Sequence, residues 1–394
     1  MIRITDKSQC CGCEACVQRC PKQCITLHED NEGFLYPLVD QTVCVDCKLC
    51  ENVCPVLTPY ADRKPLQVLA AINIDEKIRM ESSSGGIFTL LAESIIKEGG
   101  VVFGARFDDE WQVMLDFTES IDGLAAFRGS KYVQARTKST YKQCEKFLKE
   151  DRKVLFTGTP CQIAGLHHYL RKDYNNLITC DFVCHGVPSP KVWRMYLDKV
   201  INGAYKTITE IKFRNKDNGW KAYNFKLTYV ANNKINVISS CYRDNLFMRA
   251  FLSDMILRPS CHKCNAKEGR SMSDITIADF WRIQLYHQDM DDDKGTSLVL
   301  IHTEKGKKMI DWSKIKYIIS NYDTALSTNM GLKPLTVPNC KRNEFFTELD
   351  TTGNLCALID KLTKPSVYKR ACQALLLPKK VLKKLIKLTM GGWL

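Results

Sequence analysis

Apolar residues recur at helical spacing in "SSSGGIFTLLAESIIKEGG", where Ile87, Phe88, Leu91 and Ile95 share one face. Ser82 to Ser84 predict the start of that helix, Gly99 and Gly100 its end, and Val101 to Phe107 a following strand. Val154, Leu155 and Phe156 predict a buried strand that runs through the turn "TGTP" into a helix. Leu177 to Val183 repeat the design, turning at Gly186 and Pro188 into a helix from about Pro190. Further on, "FRNKDNGWKAYNFKLTYV" and "KINVISSCY" alternate like an antiparallel pair turned at "ANN". "GTSLVLIHTEKG" predicts a last strand leading into a helix, and "CITLHEDNEGFLYPLVD" an early hairpin turned at "EDNEG". Strands alternating with helices imply an α/β layer with ligands at the carboxyl ends of the strands.

The chain has 394 residues, enough for two or three domains, and its 45% hydrophobic and 26% charged content is ordinary for a globular protein. "VLTPYADRKPLQ" predicts a linker, which separates residues 1–60 from a domain over 66–330, with parts 66–150 and 151–330. Residues 331–394 form a helical C-terminal region. The start "MIRITDKSQC" is unlike a signal peptide, and no apolar run reaches the roughly 18 residues of a membrane span, so a cytoplasmic protein is expected. In that compartment 20 cysteines point to metal or redox chemistry rather than to disulfides. The net charge of +13 falls to about +9 with two oxidised four-iron clusters and about +7 with three. Without a basic stripe interleaved with aromatics, no nucleic-acid partner is expected.

"CCGCEACVQRCP" and "CVDCKLCENVCP" both read C-x2-C-x2-C-x3-C-P. Three thiolates two residues apart wrap three corners of a cubane, and the partner motif supplies the fourth. The crossed assignment places Cys10, Cys13, Cys16 and Cys54 on one [4Fe-4S] cluster, and Cys44, Cys47, Cys50 and Cys20 on the other. A pair of zinc ribbons needs two Cys pairs per site, whereas here two equal quartets each end in proline. Cys11 and Cys24 lie outside the pattern and read as packing residues.

Cys161 falls where a helix begins, beside N–H groups that favour a thiolate. Cys184 follows the next strand, and Cys261 and Cys264 form a C-x2-C on a loop. Four thiols on turns can complete a third cluster, while Cys180, inside a strand, suits packing. As an alternative, Cys161 with a nearby His is a nucleophile. The Ser/Gly-rich segment 82–86 can bind an anion or simply cap a core helix, and "FRGSKYVQA" can grip phosphate or be a solvated loop.

Seven ordered pieces, "SSSGGIFTLLAE", "GGVVFGARFD", "RGSKYVQ", "FTGTPCQIAGL", "CHGVPSP", "RPSCHKC" and "SDITIADFW", resemble the family of coenzyme F420 hydrogenase/dehydrogenase beta subunits. The resemblance runs from Cys10 to about Phe346, in the bacterial form with a two-cluster ferredoxin in front. It implies an α+β protein: a bacterial-type two-cluster ferredoxin domain, a mixed α/β flavin-binding domain and a short helical tail. It further implies FAD contacts at Ser83, Ser84, Gly85, Gly86, Ser130 and Lys131, and a third [4Fe-4S] cluster on Cys161, Cys184, Cys261 and Cys264. Many bacterial members are linked to surface-polysaccharide genes. In the last motif, where the family usually has glycines, this chain carries Ala278 before Asp279 and Arg282 after Trp281.

Iron–sulfur clusters move single electrons and flavin delivers pairs, so the expected function is a relay. Electrons pass from ferredoxin or another donor protein through the clusters to FAD, then to a small-molecule or lipid-linked substrate. Lys216, Trp220 and Lys221 are candidates to receive an anionic or planar substrate, and His185 to donate a proton. The rival is an electron-transfer subunit that serves a partner enzyme. The tail "PKKVLKKLIKLTMGGWL" is basic and amphipathic, which suits either peripheral membrane contact or docking on the protein itself.

Overall fold

The computed structural model describes residues 1–333, 336–351 and 353–364. The basic tail lies outside the described residues. At the N-terminus β1 (Ile25–Glu29) pairs antiparallel with β2 (Leu35–Val39), Ile25 opposite Val39. Asp30 closes their turn by accepting hydrogen bonds from Glu32 N and Phe34 N at 3.1 and 2.9 Å. Short helices Ala15–Arg19 and Leu49–Asn52 carry the third cysteine of each motif. The duplication extends to the backbone. Gly12 and Asp46 both take positive φ, as do Glu14 and Lys48, so each loop bends on either side of its second cysteine.

The remaining strands are β3 (Gln67–Asn73), β4 (Val101–Phe107), β5 (Val113–Thr118), β6 (Val154–Gly158), β7 (Leu177–Phe182), β8 (Ile208–Asn215), β9 (Asn224–Ala231), β10 (Lys234–Cys241), β11 (Ile275–Asp279), β12 (Ser297–Ile301) and β13 (Ile315–Ser320). Eight form one mixed sheet, ordered β13-β3-β12-β11-β7-β6-β4-β5. Within it β4, β6, β7 and β11 are parallel, while β5, β12 and β13 run against their neighbours. Three sequence expectations change here. Strand β3 sits between β12 and β13, so 66–150 and 151–330 build one sheet with no seam near residue 150. The predicted antiparallel pair is three-stranded, because "FRN" ends β8 and residues 216–223 loop out before β9; the strands β8–β10 form their own sheet, inserted between β7 and β11. Nor is "GTSLVLI" the last strand, since β13 follows it.

Alternation divides the large sheet into two buried faces. Helix Ile87–Lys97 covers Leu69, Val102, Leu155, Ile178 and Cys180 on one face. Helices Thr140–Lys149 and Pro160–Leu170 cover Val101, Phe103, Val154 and Phe156 on the other. Trp193 anchors the inserted sheet against Phe213 and Phe247 and donates its indole N–H to Trp111 O at 2.7 Å. Phe345 and Leu358, from helices Arg342–Leu349 and Leu355–Thr363, join that core, so the C-terminal region up to residue 364 packs with the large domain.

On the face toward helix Pro160–Leu170, Asp181 is enclosed by hydroxyls and accepts from Thr276 Oγ1 at 2.5 Å. Burial pushes its carboxyl up to about 6, against the Ser271, Thr276 and Ser273 hydroxyls and Arg63, which pull it down. The native state then holds this proton at pH values where the unfolded chain, near 3.9, has lost it. Stability is therefore fully present below about pH 4 and falls as pH rises through 6. Asp181→Asn removes the loss, so its melting temperature relative to the unmutated protein should rise between pH 4.5 and 7.5, by roughly 1–3 kcal/mol equivalent. Thermal unfolding at several pH values checks this; parallel curves would show that Asp181 does not titrate in the window.

Candidate metal centres

The loops at the carboxyl ends of β6 and β7 hold Cys161 and Cys184, and the turn Pro259–Lys263 that leads toward β11 holds Cys261, with Cys264 at its end. Arg258 N donates to Val187 O at 3.0 Å and Val187 N donates to Cys261 Sγ at 3.3 Å, which ties the second loop to the third. Cys184 feels the charge of Cys261, Cys161 and Cys264 together, so the fold brings these four sequence-distant thiols into one neighbourhood.

In the N-terminal domain Cys20, Cys44, Cys47 and Cys50 line one cavity, with Cys47 exposed. Cys16 feels Cys10, Cys54 and Cys50. Backbone N–H groups of Ala15, Val17, Val56 and Leu57 point at the sulfurs of Cys13, Cys16 and Cys54. The described cysteines are all free thiols. Among the described residues, no three Cys, His, Asp or Glu side chains converge on a single-ion site; a cubane instead carries its thiolates at separate corners.

Electrostatics fit these quartets to an iron–sulfur cluster. Burial pushes the thiols of Cys16, Cys54, Cys184 and Cys264 up, and neighbouring thiolates push them further. Burial likewise raises Cys261 to about 12. Four thiolates in such a space require cations among them, which iron supplies. The same balance corrects the expectation for Cys161. Its helix N-terminus favours a thiolate, but contact with Cys11, then burial, push its thiol well up. A thiol kept neutral in this way is a weak nucleophile.

Cys11 is more than packing. Its thiol lies beside those of Cys13 and Cys161, where the first quartet meets the third. Gly165, one helical turn after Cys161, makes that meeting possible: a Cβ there would lie 3.0 Å from both Cβ and Sγ of Cys13. Glu14 fixes the seam by accepting from Arg136 Nε, Thr137 N and Lys138 N, each at 3.1 Å, and Gln18 Oε1 accepts from Tyr141 N at 3.0 Å. Cys24 sits with its sulfur 3.4 Å from that of Cys20. None of these pairings has a local sequence signal; the small pair Ala164-Gly165 is the nearest to one.

The Ser/Gly segment and the 128–131 turn meet at the end of β3. Ser130 donates its N–H and hydroxyl to Ser83 Oγ at 2.8 and 2.9 Å. Ser84 Oγ donates to Thr296 O, Gly85 N donates to Ser297 Oγ, and Gly86 precedes helix Ile87–Lys97 with φ +84°. Ser82 does not start that helix; its hydroxyl donates to Ile78 O and closes the preceding helix, Glu76–Glu81. Lys131 donates to Arg128 O and Gly129 O, and burial pulls its ammonium down to about 7.

Three further candidates are occupied by the fold. Lys216 donates to Arg79 O, Ser84 O and Lys294 O at 2.7–2.8 Å, which uses all three of its protons and leaves none for a substrate. Lys221 pairs with Asp291 at 2.5 Å. Trp220 is buried, stacks on Trp281 at 4.9 Å and donates to Asp279. His185 Nε2 pairs with Asp254 at 2.5 Å, with its ring edge-on to Phe251. Arg282 takes φ +56°, a conformation that glycine would adopt more cheaply.

Residues 9–57 match the family model of a 4Fe-4S dicluster domain. Residues 151–322 match that of the C terminus of the coenzyme F420 hydrogenase/dehydrogenase beta subunit. The F subunit of the F(420)H(2) dehydrogenase of Methanosarcina mazei is 25% identical over 187 residues, 45% of this chain and 53% of that protein. The chain thus spans about half the length of that relative. A 7Fe ferredoxin of Hydrogenibacillus schlegelii is 44% identical over 46 residues, 12% of this chain and 53% of that one. The F420-reducing [NiFe] hydrogenase complex of Methanosarcina barkeri includes a chain of similar structure, with TM-score 0.44 and 17% identity over 78% of this chain and 93% of that chain.

Motif and comparison together define an N-terminal iron–sulfur region of the dicluster ferredoxin type. Residues 151–322 are thus similar to the C-terminal domain of the coenzyme F420 hydrogenase/dehydrogenase beta subunits, and a dicluster ferredoxin region precedes them in the chain. Among the described residues no helix is long and apolar enough to cross a membrane.

The seam makes a testable demand. Gly165→Val places branched carbon against Cys13 and the Tyr141 hydroxyl, and should destabilise the protein by about 1–3 kcal/mol. Denaturant unfolding of the iron-loaded protein measures it; unchanged stability would mean that the contact yields freely.

Proposed function

We propose that this chain is an iron–sulfur flavoprotein that relays electrons from a one-electron donor protein to an organic acceptor. Cys10, Cys13, Cys16 and Cys54 hold one [4Fe-4S] cluster, Cys20, Cys44, Cys47 and Cys50 a second, and Cys161, Cys184, Cys261 and Cys264 a third. The observation that carries this reading is the seam, where Gly165 admits Cys13 and Cys11 lies between the first and third quartets. Cys47 is exposed beside exposed Val43 and Val45, which suits entry of electrons from a docked ferredoxin-type donor.

When bound, the clusters carry single electrons and FAD supplies the conversion to pairs. Ser83, Ser84, Gly85, Gly86, Ser130 and Lys131 form the flavin contact. The hydroxyl proton of Ser83 has no acceptor among the described residues, and Lys131 keeps one ammonium proton beyond its two carbonyl bonds. Both are free to hold an anionic group beside the N-terminus of helix Ile87–Lys97. Asp254 orients His185, next to Cys184, to hold a proton for the acceptor.

Anaerobically purified protein should contain about twelve irons and one flavin per chain. About eight irons with flavin would remove the third cluster, and absence of flavin would sink the reductase. Cys161→Ser should lower iron by about four per chain; full iron with lost activity would identify a nucleophile instead. The name of the Methanosarcina mazei relative, which makes it one part of a dehydrogenase, favours a second reading, in which the chain hands electrons to a partner enzyme. A purified chain that reduces acceptors only with a partner present would establish it.

A further inference from the structure

Four arginines among the described residues are deeply buried, and three of them are neutralised. Arg79 pairs with Asp292, Arg214 with Asp279 and Arg342 with Glu32. The fourth, Arg258, is 0% exposed and has no carboxylate partner among the described residues. Its guanidinium donates to Cys10 O at 2.7 Å, Gln134 Oε1 at 3.0 Å, Leu35 O at 2.9 Å and Cys10 Sγ at 3.5 Å. It also lies over the Tyr36 ring, 4.3 Å from the centroid. Neutral acceptors take three of its five protons but leave its charge unbalanced, and a fully buried unpaired charge is strongly unfavourable. Burial opposes its charge, and Cys10, then Tyr36, Cys11 and Cys261, favour it.

The two halves of the ferredoxin repeat differ here. Gly12 in the first half corresponds to Asp46 in the second, both with positive φ. At Gly12 a Cβ would lie 2.9 Å from Arg258 Nη1 and 2.4 Å from the Gln134 amide nitrogen, so only glycine leaves room for the cation. Asp46 is exposed and pairs with the N-terminal amine. The buried half thus has a guanidinium on its first cysteine sulfur, whereas the exposed half has a neutral N–H, from Ile2 to Cys50 at 3.3 Å.

Resting on the ligand assignment proposed above, we propose that Arg258 is a positioning residue that raises the reduction potential of the cluster on Cys10, Cys13, Cys16 and Cys54. Reduction adds one electron to a body already about −2 in charge, at a site where three of the four sulfurs, those of Cys13, Cys16 and Cys54, are buried. Burial alone opposes that step, because the added charge is poorly solvated. A fixed cation hydrogen-bonded to a ligand sulfur favours the reduced state and offsets the opposition. The buried cluster then remains reducible from its exposed twin, and the electron can continue to the third quartet, three residues along the chain from Arg258.

An EPR-monitored redox titration of the iron-loaded full chain tests this, comparing the unmutated protein with Arg258→Gln and Arg258→Lys. Iron content should be retained. One midpoint should move to more negative potential, further in Arg258→Gln than in Arg258→Lys, while the twin's midpoint stays in place. Unmoved midpoints in an iron-replete variant overturn the proposal, as does an equal shift of both clusters. Loss of the cluster from both variants also overturns it, leaving Arg258 a purely structural role. Should the unmutated protein show no pair of ferredoxin-type signals, the ligand assignment itself fails, whatever the variants do.

Discussion

The seam between the first cysteine loop and helix Pro160–Leu170 is the constraint on which the rest of this structure depends. A ferredoxin-like unit joined only by the linker after Pro55 would wander relative to the sheet. Instead the Glu14 carboxylate is spent on three donors from residues 136–138, and the hairpin is clamped from the far side. There Arg342 forms a bidentate pair with Glu32, Lys191 Nζ donates to Asn31 O, and Ser189 Oγ donates to Glu32 O. These bonds fix the residue after Cys13 and the hairpin beyond it, so the close approach at Gly165 is held rather than sampled. Fixed geometry between redox groups matters because no substrate binding event intervenes to reset it.

The large sheet serves the same end by a general device. Parallel strands deliver their following loops to one edge, so β6 and β7 present Cys161 and Cys184 side by side although they lie 23 positions apart in the chain. The bridge between Pro188 and Leu257 then draws in the turn that carries Cys261 and Cys264. The loops of Cys161 and Cys184 are short and start from strands buried on both faces, which leaves little freedom to those two thiols.

What the sequence disclosed follows this division between local and distant. The cysteine repeats, the hairpin between them and the helix stop at Gly99 depend on neighbours a few residues away, and all were legible. So were β4, β6 and β7, whose apolar runs are long and bounded by turns. The interleaving of β3 between β12 and β13 was not, since pairing over more than 220 residues leaves no periodic trace. Nor could spacing show that the Lys216 ammonium serves three backbone carbonyls, or that Cys11 faces two cysteine groups at once. Cys161 is the instructive case: its helix terminus is visible in the sequence, but contact with Cys11 and burial, which only the tertiary structure reveals, outweigh the effect of that terminus on the thiol. The paired glycine and aspartate at positions 12 and 46 were equally visible as letters, but the guanidinium that separates their fates enters from the other end of the chain.

The insertion of β8–β10 between β7 and β11 carries a consequence for how the molecule is made. The eight cysteines of the N-terminal motifs lie within 45 residues and can gather as soon as the first hairpin closes. Cys184 and Cys261 are separated by 76 intervening residues, two helices and an entire sheet, so their meeting waits on a long loop closure. On the proposed ligand assignment, the N-terminal quartets can gather while Cys161, Cys184, Cys261 and Cys264 are still scattered, and occupancy of that last quartet would report that the whole domain has folded.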